Sequence, residues 1–252
     1  MRGACATLRG VPEDHFDEEI AARYDDPSDE MFQPAAIEPA VDFLAAFAGD
    51  AAALEFGIGT GRIALPLAQR GVEVHGIDLS SAMVARLRAK LGGQDIPVAI
   101  GDFATTRAEG TFSLAYLVFN TINNLTTQDA QIACFENAAA HLTSGGHFVV
   151  EVGIPQLQRL PPGETVRAFA LTPSHLGFDE FDVANQGLIS HHYELADGLW
   201  QAHSIPFRYV WPSELDLMAR LAGMTLVERW AGWGREAFTR DSTSHVSVWR
   251  RR

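Results

Sequence analysis

The 252-residue chain has a formal net charge of -13, 47% hydrophobic residues and only two cysteines, Cys5 and Cys134. Its length fits one domain with a cap, and its acidic balance argues against nucleic acid as a partner, because phosphate-backbone affinity comes from clustered Lys and Arg. Two distant cysteines without a C-x-x-C indicate neither a disulfide framework nor a thiolate metal site. With no signal-like leader and no run near ~20 apolar residues, a soluble, cytoplasmic chain without a membrane partner is expected.

Residues 1 to 35 are polar and acidic, with an amphipathic piece from Phe16 to Tyr24, and are expected to form an N-terminal segment of their own. Pro34 to Phe47 reads as a helix, with Ile37, Val41, Leu44 and Ala48 at helical spacing. The stretch from Ala52 to Ser81 is the most informative. A short apolar strand ends in Glu55 and runs into Gly57-x-Gly59-x-Gly61; a helix from about Arg62 to Arg70 stops at Gly71; a second apolar strand, Val72 to Ile77, closes with Asp78. This is a βαβ unit with a nucleoside site, its glycines allowing a sharp turn and close ligand approach and its strand-end acid placed to accept from ribose hydroxyls. A dinucleotide fingerprint would put its third glycine at position 62, which is Arg62, so a nicotinamide-dependent reductase is the weaker reading.

Ser80 or Ser81 caps the next helix, with Met83, Leu87 and Leu91 on one stripe and Gly92-Gly93 at its end. Val98 to Ile100 is a third strand leading to Asp102, and Phe112 to Phe119 is a continuous apolar strand of the kind buried on both faces. Asn120 to Leu125 follows at that strand's carboxyl end, the edge where open α/β sheets bind ligands. A helix capped by Thr126 or Thr127 presents Ile132, Phe135, Ala139 and Leu142 inward, and His147 to Val152 is the next strand. After Pro155 the βα alternation stops. Four strands follow, Val166 to Leu171, Phe178 to Ala184, Leu188 to Leu195 and Leu199 to Tyr209, the last three separated by turn signals. A helix from Pro212 (Leu215, Met218 and Leu221 aligned) and two strands, Met224 to Trp230 and Ser244 to Trp249, complete the chain.

Four motifs in order, Glu55 to Gly61, Gly76-Ile-Asp78-Leu79-Ser80, Gly101-Asp102-Phe103 and Leu142 to Val150, resemble those of the class I S-adenosylmethionine-dependent methyltransferases, in register over about residues 50 to 152. The resemblance implies a three-layer α/β sandwich with a mostly parallel seven-stranded sheet, here carrying an antiparallel β insertion at about 156 to 210 within a domain spanning 36 to 252. It implies S-adenosyl-L-methionine as cofactor. Gly57, Gly59 and Gly61 would face its methionine half, with Glu55 orienting the ammonium; Asp78 and Leu79 would meet the ribose; Asp102 and Phe103 the adenine, with Met83 reaching toward it. Asn120, at the fourth strand's end, is a further cofactor candidate. Segment 1 to 35 would fold over the cofactor as a lid, with Tyr24 near the methionine end.

The insertion's position is similar to that of small-molecule methyltransferases, including the sugar N-methyltransferases, whose Ile-Gly-His-Leu-type loop aligns with Ile122 to Leu125, where Asn124 replaces the family's histidine. The fourth strand's end also lacks the Asn-Pro-Pro-Tyr-like motif of nucleic-acid and protein amide methyltransferases. The expected function is therefore methyl transfer to an oxygen or nitrogen of a small molecule, a homodimer being compatible with it. A reductase and a nucleoside-binding protein without catalysis are the alternatives. Asn124, Tyr193, Tyr209 and Trp211 are the candidate substrate contacts, and no metal site is expected. A two-residue loop at Asp197-Gly198 would pair Ala196 with Leu199 and hence His192 with His203; a three-residue loop would instead set His203 against His191. Mutual repulsion would keep one imidazole of such a pair neutral, so His192, His203 and His191 are the candidate general bases.

Overall fold

The computed structural model describes residues 16–26, 29–196 and 198–252. Its main sheet runs in the order β3-β2-β1-β4-β5-β11-β10, formed by β1 (Ala53–Phe56), β2 (Val74–Asp78), β3 (Val98–Ile100), β4 (Phe112–Leu117), β5 (Leu142–Gly153), β10 (Met224–Trp230) and β11 (Ser244–Arg251). Only β11 runs antiparallel to its neighbours. The central strands are buried on both faces. Along β4, Phe112, Ala115 and Leu117 join one core with Phe135, Met218 and Trp249, whereas Leu114 and Tyr116 join the other with Leu44, Ile63 and Leu67. The first core is covered by α5 (Gln128–His141) and α6 (Pro212–Leu221), the second by α2 (Pro34–Ala48) and α3 (Ala64–Gln69). The connection order reverses between β1 and β4, the crevice where doubly wound sheets bind ligands.

Two elements end sooner than their apolar spacing predicts. α4 (Ser81–Arg88) is capped by the Ser80 hydroxyl, which accepts from Met83 N, but it stops before Leu91, which is 94% exposed. Lys90 is drawn away to Thr60 O (2.7 Å) and Asp25 (2.8 Å), so the stripe loses its third member to a turn. β4 stops at Leu117, because Phe119 and Asn120 both take positive φ (55° and 59°). Leu221, aligned by spacing with Leu215 and Met218, also lies exposed at the end of α6.

The insertion is a separate antiparallel sheet, β6 (Val166–Leu171), β7 (His175–Asp182), β8 (Gly187–Ala196) and β9 (Leu199–Arg208). β7 begins three residues before its predicted start. The β8–β9 register is that of a two-residue loop, with Ala196 opposite Leu199, Glu194 opposite Gln201 and His192 opposite His203; Asp197 itself lies outside the described residues. Where the insertion rejoins the core, buried Arg208 meets Glu214 of α6 at 2.7 Å and the Gln131 side-chain oxygen, while Gln131 Nε2 donates to Arg208 O at 3.1 Å. Gln186 and Gln128 donate to the same Glu214 carboxylate. Burying a charge is costly unless it is paired and hydrogen-bonded, and this cluster satisfies Arg208 fully enough to fasten the insertion's root. Among the described residues no helix is long and apolar enough to cross a membrane.

Candidate cofactor site

A cavity opens at the carboxyl ends of β1 and β2, lined by Phe16, Tyr24, Gly57, Gly59, Asp78, Leu79, Ser80, Met83, Asp102, Phe103, Thr121, Asn124 and Leu125. Its floor is the glycine turn. Gly57 and Gly61 have φ of +69° and +80°, and a Cβ would stand 2.7 Å from Thr121 Cγ2 at the first and 2.3 Å from Leu87 Cδ1 at the second. Gly61 therefore packs against α4 and faces away from the ligand space, which separates its role from that of Gly57 and Gly59. Gly61→Ala should cost about 1–3 kcal/mol from the combined strain and overpacking. Urea denaturation should show a lower midpoint, and an unchanged midpoint would mean that the turn and Leu87 shift freely.

Asp78 anchors this turn. Its Oδ2 accepts from Gly59 N at 2.6 Å and its Oδ1 from Ser80 N at 2.8 Å, so the carboxylate is held at the cavity wall with one backbone partner on each oxygen. Asp102 is set similarly, Oδ1 accepting from Ala104 N at 2.8 Å. Glu55 lies beneath the floor rather than in the lining. It is 2% exposed and accepts from the Tyr116 hydroxyl at 3.0 Å. Burial pushes its carboxyl up to about 8, against the opposing pull of the Tyr116 hydrogen bond and the Arg62 charge.

The N-terminal segment around α1 (Glu18–Tyr24) contributes Phe16 and Tyr24 to the cavity wall. Ser80 Oγ donates to Phe16 O (2.5 Å), Thr60 Oγ1 to Asp25 Oδ1 (2.6 Å) and Arg62 to Met31 O (3.0 Å), tying the segment to the glycine turn and to the start of α4. The ring of Tyr24 sits edge-on to Phe16 and Phe32, and burial raises its phenol above the ordinary value, so it is a hydrogen-bond donor at neutral pH. On the opposite wall the left-handed pair Phe119–Asn120 is pinned: Phe119 N donates to Glu151 Oε2 (2.8 Å) and Gly153 N to Asn120 Oδ1 (2.6 Å). Asn120 is thus spent on β5, and the following turn, 121–124, delivers Thr121 and Asn124 to the cavity instead.

Of the candidate site residues, Tyr24, Gly57, Gly59, Asp78, Leu79, Met83, Asp102, Phe103 and Asn124 come together in one cavity. Phe16, Ser80, Thr121 and Leu125 join them without having been singled out, and only their neighbourhood to Tyr24, Asp78 and Asn124 could have flagged them. Tyr209 is buried and packs on Phe181 and Trp211; Tyr193 stacks on Phe178 on the insertion's other face. The three hairpin histidines are outside the lining. His192 has Nδ1 on His175 (3.1 Å) and Nε2 on Ser190 Oγ (3.2 Å), while His191, on the opposite face, has Nδ1 on Ser204 Oγ (2.8 Å) and Nε2 on Glu180 (3.4 Å). Neither can take a proton from an acceptor without first giving up a partner. His203 meets His192, as the two-residue loop requires, and stacks on it with centroids 4.8 Å apart.

A reversal crevice, a glycine turn anchored by a strand-end acid, and a second acid one strand further on define an α/β fold built to hold a nucleoside. Residues 53–146 match the family model described as "Methyltransferase domain". The CcbJ methyltransferase of Streptomyces caelestis is 38% identical, with 94% of this chain and 97% of that one covered and a TM-score of 0.81. CalS10, an amino pentose methyltransferase of Micromonospora echinaspora, shares the fold at 23% identity (TM-score 0.69, 95% and 99% covered). KedS8, a sugar N-methyltransferase of a Streptoalloteichus species, does so at 17% (TM-score 0.66, 100% and 99% covered). Comparison with curated sequences gave no match. The chain belongs to the S-adenosylmethionine-dependent methyltransferases, and S-adenosylmethionine is its cofactor. The cavity fits that group: two carboxylates, Asp78 at the end of β2 and Asp102 just after β3, stand in its wall as hydrogen-bond acceptors, each oriented by backbone N–H groups.

Proposed function

We propose that the enzyme methylates a nitrogen atom of a small-molecule amine. The observation that carries this reading is the chemistry of the cavity's acceptor end: Tyr24, Thr121 and Asn124 are all neutral, and Asn124 stands where related sugar N-methyltransferases place a histidine. A hydroxyl acceptor needs a base within hydrogen-bond reach, whereas an amine needs only to arrive unprotonated, because the sulfonium methyl is already activated. Positioning in line with the departing sulfur then supplies a large part of the acceleration, roughly 7–11 kcal/mol for a well-oriented pair. CalS10, an amino pentose methyltransferase, and KedS8, a sugar N-methyltransferase, share the fold and support an amine on a polar small molecule.

In this reading Asp78 accepts from the ribose hydroxyls and Asp102 from the adenine amino group. Tyr24 closes the methionine end, and Thr121 and Asn124 contact the acceptor. The hairpin histidines are not required as bases. The test is a panel of paired amines and alcohols on the same small scaffolds, followed by S-adenosylhomocysteine release. Amines should turn over, with rates that rise with pH as the acceptor nitrogen loses its proton. Turnover of the alcohols and none of the amines would sink the assignment.

A further inference from the structure

We propose that His175, His192 and Glu194 form a binding site for a divalent transition-metal ion of the zinc class on one face of the insertion. Their ligand atoms all lie within 4.8 Å of one another, and all three residues are half-buried. Strand pairing alone brings them together: His175 is directly opposite Glu194, and His192 is the next residue on that face of β8. The sequence hides this set, because the adjacent His191 and His192 point to opposite faces of β8 and cannot act together. The missing member is His175, from the neighbouring strand.

The chemistry of the set fits such an ion. His175 Nε2 and His192 Nδ1 are 3.1 Å apart. Two nitrogens each about 2.0–2.1 Å from a tetrahedral zinc are roughly 3.3 Å apart, so a small movement would admit the ion in place of the proton they now share. Ser190 Oγ, 3.2 Å from His192 Nε2, holds the ring with Nδ1 turned to His175, the usual outer support of a ligating imidazole. The His203 ring covers one side of His192. Phe169 covers another, 5.2 Å away and seated over Gly177, where a Cβ would collide with it at 2.3 Å. Glu194 supplies the anionic ligand and leaves a fourth position open. Its Oε2 is also 3.9 Å from Arg23 of α1, so an ion and the N-terminal segment share one carboxylate.

The experiment is calorimetric titration of the tag-free full chain, saturated with S-adenosylhomocysteine, with Zn2+, repeated with Co2+ by visible absorption. The expected result is one site with a dissociation constant of about 10 μM or tighter and a Co2+ spectrum of tetrahedral intensity. His175→Ala and Glu194→Gln, at solvent-accessible positions that the core does not need, should each weaken Zn2+ binding at least about tenfold, since even the supports of metal ligands are worth that much. His175→Ala should keep its affinity for S-adenosylhomocysteine. Unchanged Zn2+ affinity in these two variants, or no binding by the parent below about 1 mM, would overturn the proposal and leave a hydrogen-bonded histidine pair.

Discussion

Asp78→Ala is expected to weaken S-adenosylmethionine binding by roughly two to four orders of magnitude, from the loss of two hydrogen bonds to a charged acceptor at about 1.5–3 kcal/mol each. The structure adds a second reason for a large effect. The same carboxylate accepts from Gly59 N and Ser80 N, so its removal frees the glycine turn as well as the ribose. Asp78→Asn separates the two contributions, because an amide oxygen can still accept from one backbone N–H while its NH2 cannot. Calorimetric titration of both variants checks this, and a dissociation constant within threefold of the parent for Asp78→Ala would remove the residue from the site. Asp102→Ala should be milder, with one ligand hydrogen bond at stake.

Replacing Glu55 by Gln should make the cofactor-free protein more stable, increasingly so as pH rises. The buried carboxyl has a folded-state value of about 8 against an unfolded value of 4.5. A group raised in this way favours the folded state fully below about 4.5 and loses that contribution as pH rises through about 8, because the folded protein must then bury a charge. At 1.36 kcal/mol per unit the whole swing is about 5 kcal/mol, an upper bound for one carboxyl. Glutamine carries no such penalty and still accepts from Tyr116. Denaturant titrations of parent and Glu55→Gln at pH 6 and pH 9 should therefore diverge, and a constant difference would show that Glu55 does not titrate in this window. Cofactor binding should oppose the effect. The resemblance sets the cofactor's ammonium near Glu55, where it would favour the carboxylate, so calorimetry near pH 7 in buffers of different ionisation enthalpy should report more proton release by the parent than by the variant.

The buried half of the molecule was legible because parallel strands covered on both faces read as continuous apolar runs and the glycine and acid spacing is chemically constrained. The β8–β9 register was legible to within one residue, the turn signal allowing a two- or a three-residue loop, and the pairing of Ala196 with Leu199 is that of the shorter one. Features that depend on side chains reaching between elements were not. Lys90 turning to Thr60 and Asp25 ends α4 early, and nothing in the Met83, Leu87, Leu91 spacing announces it. Phe119 and Asn120 look like the tail of an apolar strand, yet their backbone turns left-handed because Glu151 and Gly153 hold it. A strand start at Phe178 leaves His175 outside the expected strand; the Thr172 hydroxyl, accepting from His175 N at 2.9 Å, closes a turn that begins the strand earlier. That three-residue error hid the histidine cluster.

The four-stranded insertion is fastened through Arg208, Gln131 and Glu214 at its root, while the β8–β9 loop lies at the far end of the ribbon. Near its tip the ribbon meets the N-terminal segment at Glu194, 3.9 Å from Arg23, so the hairpin bridges from the core to the wall of the cofactor cavity, and changes that spare both contacts leave the nucleotide half packed as it is. An engineer remodelling the hairpin has two boundaries to respect, the Arg208 cluster at its root and Glu194 near its tip.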